Sequence, residues 1–141
     1  MYKKILVALD NTRADQSLLP HIRQLAKLHG SELLLVHVAD GWVARTYDQL
    51  KLTESEEMRQ DKEYLEQNAE DLRRAGLTVS VHLALGDPPR EIVKVAASQH
   101  CDLIAMTTHG HRLIGDLLFG STINEVRHAT DVPVLLVRAA K

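Results

Sequence analysis

A doubly wound α/β sheet, parallel and covered by helices on both faces, is the fold this sequence predicts, on three observations. Five short runs are apolar nearly throughout: KILVAL (4–9), ELLLVHV (32–38), LTVSVHL (77–83), DLIAMT (102–107) and PVLLV (133–137). Such runs suit strands buried on both faces, as in a sheet held between two helix layers. Stretches of helical period with start and stop residues lie between them. Strand and helix therefore alternate along the chain, which points to parallel βαβ units. Right-handed crossovers then leave few topologies open.

Each connecting element has its own punctuation. Helix one places Leu18, Ile22, Leu25 and Ala26 on one face and stops at Gly30. Its start is expected at Thr12, with Asp15 three residues on in capping-box spacing. Helix two follows Thr53-x-x-Glu56, the same kind of signal, and its stripe of Met58, Leu65, Ala69 and Leu72 ends at Gly76. Helix three opens at Asp87-Pro88, a cap followed by a proline where no N–H is needed. Helix four is expected to begin near Gly120-Ser121 and to end before Asp131-Val132-Pro133. Residues 39–53, which hold the one tryptophan, show no period and read as a loop over one rim of the sheet. No linker, internal repeat or low-complexity tract interrupts the pattern, so residues 1–141 read as one domain.

Composition narrows the functional classes. A formal net charge of −2 lacks the basic excess that marks a nucleic-acid binder. The single cysteine, Cys101, precludes an internal disulfide and suits a reducing cytosol. The opening MYKKILVALD turns acidic before a signal-peptide core forms, and no apolar run approaches the ~20 residues a bilayer requires. A cytoplasmic protein with no membrane partner is expected.

Ligands of open α/β sheets bind beyond the carboxyl ends of the strands. That directs attention to Asp10, to Val38 through Asp40, to Gly86, and to the stretch from Met106 to Thr122. Asp10 has two readings: a cap for helix one, or, with Thr12 as the cap, an acceptor for a ribose hydroxyl or an adenine amine. Gly120-Ser121-Thr122 suggests a helix N-terminus, whose unpaired amides bind phosphate without a lysine. Ser121 either caps that helix, contacts phosphate, or does both.

Other motifs fail on inspection. Gly115 to Thr122 has the glycine spacing of a Walker loop, but Ser121 stands where the lysine belongs. No G-x-G-x-x-G follows the first strand and no G-x-S-x-G is present. His109 and His111 read as loop residues rather than zinc ligands, and Cys101 as a small packed side chain.

The run TTHG at 107–110, nine residues HRLIGDLLF, and GS at 120–121 closely resemble the G-x2-G-x9-G-[S/T] signature of nucleotide-binding universal stress proteins. The similarity extends through KKILVALD, LLLVHV, GDPPREIV and VPVLLVRA. The resemblance implies a five-stranded parallel sheet of order 3-2-1-4-5 and a homodimer. It assigns Asp10 to the nucleoside, beside the backbone of Ala8 and Leu9, and gives the main chain of Val38 to adenine. It puts Met106 and Thr107 near the ribose, and Gly110, Gly120, Ser121 and Thr122 around the phosphates. Arg112 is a further phosphate candidate, against the plainer reading of a solvated loop arginine. Thr107 departs from the signature, which has glycine there; a β-branched side chain either crowds the ribose or points into the sheet.

The last strand, Val134, Leu135, Leu136 and Val137, reads as an apolar sheet edge that soluble proteins seldom leave bare. Antiparallel pairing across a two-fold axis is expected there, as the family resemblance supports. The resulting expectation is a cytoplasmic homodimer that binds ATP, or ADP or AMP, with Mg²⁺ following the polyphosphate. It would act on a regulatory protein partner rather than by turnover, because no general base is evident. A partner-binding scaffold with an empty pocket is the alternative. An adenylating enzyme is disfavoured because NTRAD stands where a glycine-rich loop would follow strand one.

Overall fold

The computed structural model describes residues 1–40, 51–109 and 114–140, at backbone level alone for 40, 51–55, 109 and 114–121. Strands β1 (Lys4–Ala8), β2 (Glu32–Asp40), β3 (Val79–Gly86), β4 (Leu103–His109) and β5 (Val134–Ala139) form one sheet in the order β3-β2-β1-β4-β5. Every neighbouring pair is parallel. Helices α1 (Asp15–His29), α2 (Lys51–Arg74), α3 (Pro88–Ser98) and α4 (Ile114–Ala129) make the connections. The strands fall on the five apolar runs, in the order the resemblance implies. Among the described residues no helix is long and apolar enough to cross a membrane.

Side chains alternate along a strand, so each strand feeds two cores. Ile5 and Val7 of β1, Leu33 and Leu35 of β2, and Leu103 and Ala105 of β4 share one face with Leu18, Ile22 and Ala26 of α1 and Leu65, Ala69 and Leu72 of α2. Leu6, Leu34, Val36, Ile104 and Met106 share the other with Ile92, Val95 and Ala96 of α3 and Ile123 and Val126 of α4. Burying each such Leu, Ile or Val side chain stabilises the fold by about 1.5–3 kcal/mol. Cys101 packs into the second core, as a small apolar residue would. Just before β4, the Asp102 carboxylate accepts the amides of Lys3 (2.8 Å) and Lys4 (3.1 Å), which fastens the start of β1 to β4.

Helix ends agree with the sequence at some positions and differ at others. Gly30 ends α1 in the left-handed region at φ 66°, where glycine carries no Cβ penalty, and its N–H donates to the carbonyl of Ala26. Pro88 opens α3 behind an extended Asp87, although Asp87 makes no side-chain capping bond. At α1 the expected capping box does not form. Ala14 precedes the helix with helical backbone angles, and Thr12 opens a tight turn whose carbonyl accepts the amide of Asp15 at 3.1 Å.

Helix α2 begins at Lys51, ahead of Thr53, so Thr53 lies in its first turn and not at its cap. Lysine, leucine and glutamate around that threonine are strong helix formers and carry the helix past it. The larger difference is α4, which begins at Ile114 and takes in Gly120 and Ser121. The intervening DLLF is rich in helix formers, and one glycine costs only about 1 kcal/mol in a helix. Strand β2 runs to Asp40, and the remainder of the expected rim loop, 41–50, lies outside the described residues.

Candidate functional site

A cavity of about 200 Å³ opens at the carboxyl ends of β1, β2 and β4. The chain builds β1, β2 and β3 outward on one side, then crosses back to place β4 on the other side of β1. Crossovers diverge at such a reversal and leave a crevice between them. Ala8, Leu9 and Asp10 enter it from the end of β1, and Val36, His37 and Val38 from β2. Met106 and Thr107 come from β4, Pro88 and Ile92 from α3, and Thr122 from α4.

Seven residues singled out from the sequence (Ala8, Leu9, Asp10, Val38, Met106, Thr107 and Thr122) therefore share one cavity. Thr107 is 4% exposed and forms part of the wall. Gly120 and Ser121 sit within α4, where each amide is committed to the carbonyl four residues back. The free amides expected there belong to a helix start that the structure places at Ile114 instead. Gly110 and Arg112 lie outside the described residues. Val36, His37 and Ile92 carried no functional signal, because residues inside a strand or helix pattern read as structure, and Pro88 reads only as a helix start.

The loop after β1 is held from below by polar groups. Asp10 Oδ1 accepts the Thr12 amide at 3.0 Å and the Thr12 hydroxyl at 2.6 Å, an Asx-type turn. Thr12 thus engages Asp10 rather than freeing it, and its hydroxyl oxygen accepts the amide of Ala14 at 3.2 Å. Asn11 takes φ 60°, a left-handed angle that asparagine tolerates better than most residues. Its Nδ2 donates to Asp61 Oδ1 on α2 at 2.9 Å.

Beneath the loop lies Asp15, with no exposed surface. Its Oδ1 accepts the amide of Asp10 at 3.0 Å, and its Oδ2 accepts the amide of Asn11 at 2.9 Å and the Tyr64 hydroxyl at 2.8 Å. Burial raises the Asp15 carboxyl to about 7; the charge of Asp10 pushes the same way and the Tyr64 hydrogen bond opposes. Burial also raises the Tyr64 phenol, and its bond to the Asp15 carboxylate adds to that. His37 Nδ1 lies 2.9 Å from the Leu9 carbonyl oxygen. A carbonyl only accepts, so Nδ1 carries the hydrogen, and Nε2 lies 3.7 Å from Asp61 Oδ2.

Sequence reasoning read Asp15 as a capping partner of Thr12 and did not single out Asp61 or Tyr64. Their contacts span 50 and 49 residues, a separation that no local pattern reports.

The expected dimer edge is less bare than its composition suggests. Strand β5 is an outer strand. Leu135 and Val137 pack against the α1–α2 core and Val134 against the other, while Leu136 is 40% exposed.

The universal stress protein family model matches residues 1–138. Universal stress protein MJ0577 of Methanocaldococcus jannaschii is 28% identical over 158 residues, covering 98% of this chain and 96% of its own length. The solved structure of MJ0577 superposes with a TM-score of 0.78 at 30% identity, over 100% of this chain and 99% of that one. A universal stress protein from Archaeoglobus fulgidus, solved in complex with dAMP, superposes with a TM-score of 0.68 at 27% identity, covering 96% and 98%.

Proposed function

This chain belongs to the universal stress protein family, and from that premise we propose that it binds an adenine nucleotide, ATP foremost, with ADP and AMP as lesser ligands of the same cavity. In this reading it is a cytoplasmic homodimer that acts by occupancy rather than turnover, its nucleotide state being read by a regulatory protein. The observation that carries the reading is the convergence of Asp10, Val38, Met106, Thr107 and Thr122 on one cavity at the strand-order reversal. The relative solved with dAMP supports the adenine class.

Each wall has a task. Val36, Val38, Ile92 and Met106 offer apolar surface to the base, and the main chain of Val38 addresses its hydrogen-bonding edge. In this reading Asp10 accepts ribose hydroxyls, and Thr107 and Thr122 line the cavity beside the sugar and first phosphate. Among the described residues no three His, Cys, Asp or Glu side chains converge to hold a metal. Mg²⁺ would therefore arrive on the polyphosphate oxygens. Dimerisation is assigned to β5, where Leu136 is the exposed apolar side chain of an outer strand.

The polyphosphate makes a separate demand. For the amides of residues 120–122 to meet phosphate, α4 must shorten toward Gly120 when ATP binds; adenosine requires no such change. Calorimetric titration with both ligands separates these halves. Asp10→Ala is expected to weaken adenosine and ATP alike by about tenfold, the equivalent of one lost charge-assisted hydrogen bond. Gly120→Val is expected to weaken ATP alone. If the wild type binds neither ligand, and the denatured protein releases no adenine nucleotide, the second reading prevails. That reading is a nucleotide-free partner-binding dimer, and the observation favouring it is the long α4.

A further inference from the structure

We propose that His37 is a positioning residue for the base: by donating to the Leu9 carbonyl, it leaves the main-chain amide of Val38 facing the cavity, for the ring nitrogen of an adenine to accept. The inference rests on the nucleotide reading of the cavity.

Strands β1 and β2 part company at the cavity. Their parallel register runs from Lys4 beside Glu32 to Ala8 beside Val36, and the Leu9 amide adds a last rung by donating to the Val36 carbonyl at 2.8 Å. The Val36 main chain therefore points toward β1. Backbone direction repeats at every second residue of a strand, so the amide and carbonyl of Val38 point the same way. One rung further, a continuing ladder would carry the Val38 amide to the Leu9 carbonyl. That carbonyl meets His37 Nδ1 instead, at 2.9 Å.

Leu9 is 4% exposed, and a buried carbonyl needs a donor. His37 supplies it from the α1–α2 face, which it shares by alternation with Leu33 and Leu35. A carbonyl only accepts, so Nδ1 is the donor in either charge state of the ring. On the far side of the ring, Nε2 lies 3.7 Å from Asp61 Oδ2, and Asp61 Oδ1 accepts Asn11 Nδ2 at 2.9 Å. The imidazole is thus held between β1 and α2. An oxygen with two lone pairs does not shut out a second donor; what the ring removes is the need for one.

Beyond Leu9 the chain leaves the ladder. The Asp10 amide turns to Asp15 Oδ1 at 3.0 Å, and Asn11 takes φ 60°. Val38 then lines the cavity together with Leu9 and His37. An adenine edge sets a ring nitrogen, which accepts, beside an exocyclic amine, which donates. One residue whose N–H and C=O point the same way matches that pair.

The probe is 1-deazaadenosine, in which a CH replaces that ring nitrogen, titrated beside adenosine in a calorimeter. The wild type is expected to bind it about tenfold more weakly than adenosine, the effect of one lost hydrogen bond. His37→Leu removes the ring donor, and the Leu9 carbonyl then draws the Val38 amide. That variant is expected to bind adenosine about tenfold more weakly and 1-deazaadenosine nearly as the wild type does, so the preference disappears. A ring with only a structural task would weaken both nucleosides alike; a preference kept at its wild-type value in His37→Leu overturns the inference. Hydrogen exchange of the wild type decides if His37→Leu does not fold. Without ligand the Val38 amide is expected to exchange much faster than that of Val36, and bound adenosine is expected to slow it more than bound 1-deazaadenosine. A Val38 amide protected without ligand overturns the inference. Equal affinity of the wild type for the two nucleosides overturns it as well and leaves the nucleotide reading standing. Failure to bind either nucleoside overturns both.

Discussion

On the α1–α2 face, Ile5, Val7 and Leu35 meet Leu18, Ile22, Leu65 and Ala69, all without exposed surface. Toward the carboxyl ends of the strands that face continues into Asp15, Tyr64 and Asn11, whose hydrogen bonds tie the β1 loop to α2. On the α3–α4 face the same strands supply Leu6, Leu34 and Val36 to an equally buried core. At the strand ends, however, the cavity opens between Val38, Ile92, Met106 and Thr122. Alternate residues of the same strands thus build a closed side and a receptive one. The difference lies at the strand ends, where one face is tied by polar side chains to a long helix and the other leaves room.

Equal enlargements on the two faces sharpen that contrast. Ala69→Leu adds volume to the closed core and is expected to cost about 1–3 kcal/mol in urea unfolding. Ala8→Leu adds the same volume to the cavity wall. It is expected to leave the unfolding midpoint nearly unchanged while abolishing adenosine binding in a titration. A large stability loss from Ala8→Leu would mean that the receptive side is as tightly packed as the closed one.

The smallest expected change in stability comes from the outer strand. Leu136→Lys places a charge on the exposed leucine of β5 and is expected to shift protomer stability by no more than about 0.5 kcal/mol. Sedimentation is expected to show a dimer for the wild type and a monomer for the variant. Leu135 and Val137 are poorer test positions, because both pack against the protomer's own core.

The sequence made the strands legible because buried parallel strands leave unbroken apolar runs such as ELLLVHV, and their order was implied by the family resemblance. The cavity followed from the order, since the reversal beside β1 dictates where a crevice forms. Helix starts were less legible. Thr53 and Gly120 both looked like boundaries, yet neighbouring helix formers carried α2 and α4 across them. The Asp15 cluster was illegible for a different reason. Each member looks ordinary in its own helix or strand, and only folding brings Tyr64 and Asp61 to the loop at Asp10.

Strand β1 lies in the middle of the sheet, but its second neighbour comes from the far half of the sequence. Asp102 reaches the amides of Lys3 and Lys4 across 99 and 98 residues. On the ribosome, β1, β2 and β3 therefore emerge while one rim of β1 has no strand beside it. A nascent chain stalled before Leu103 carries that naked rim, the kind of surface that chaperones engage. Capture of the stalled chain, and its loss once β4 has left the exit tunnel, is the behaviour this topology dictates.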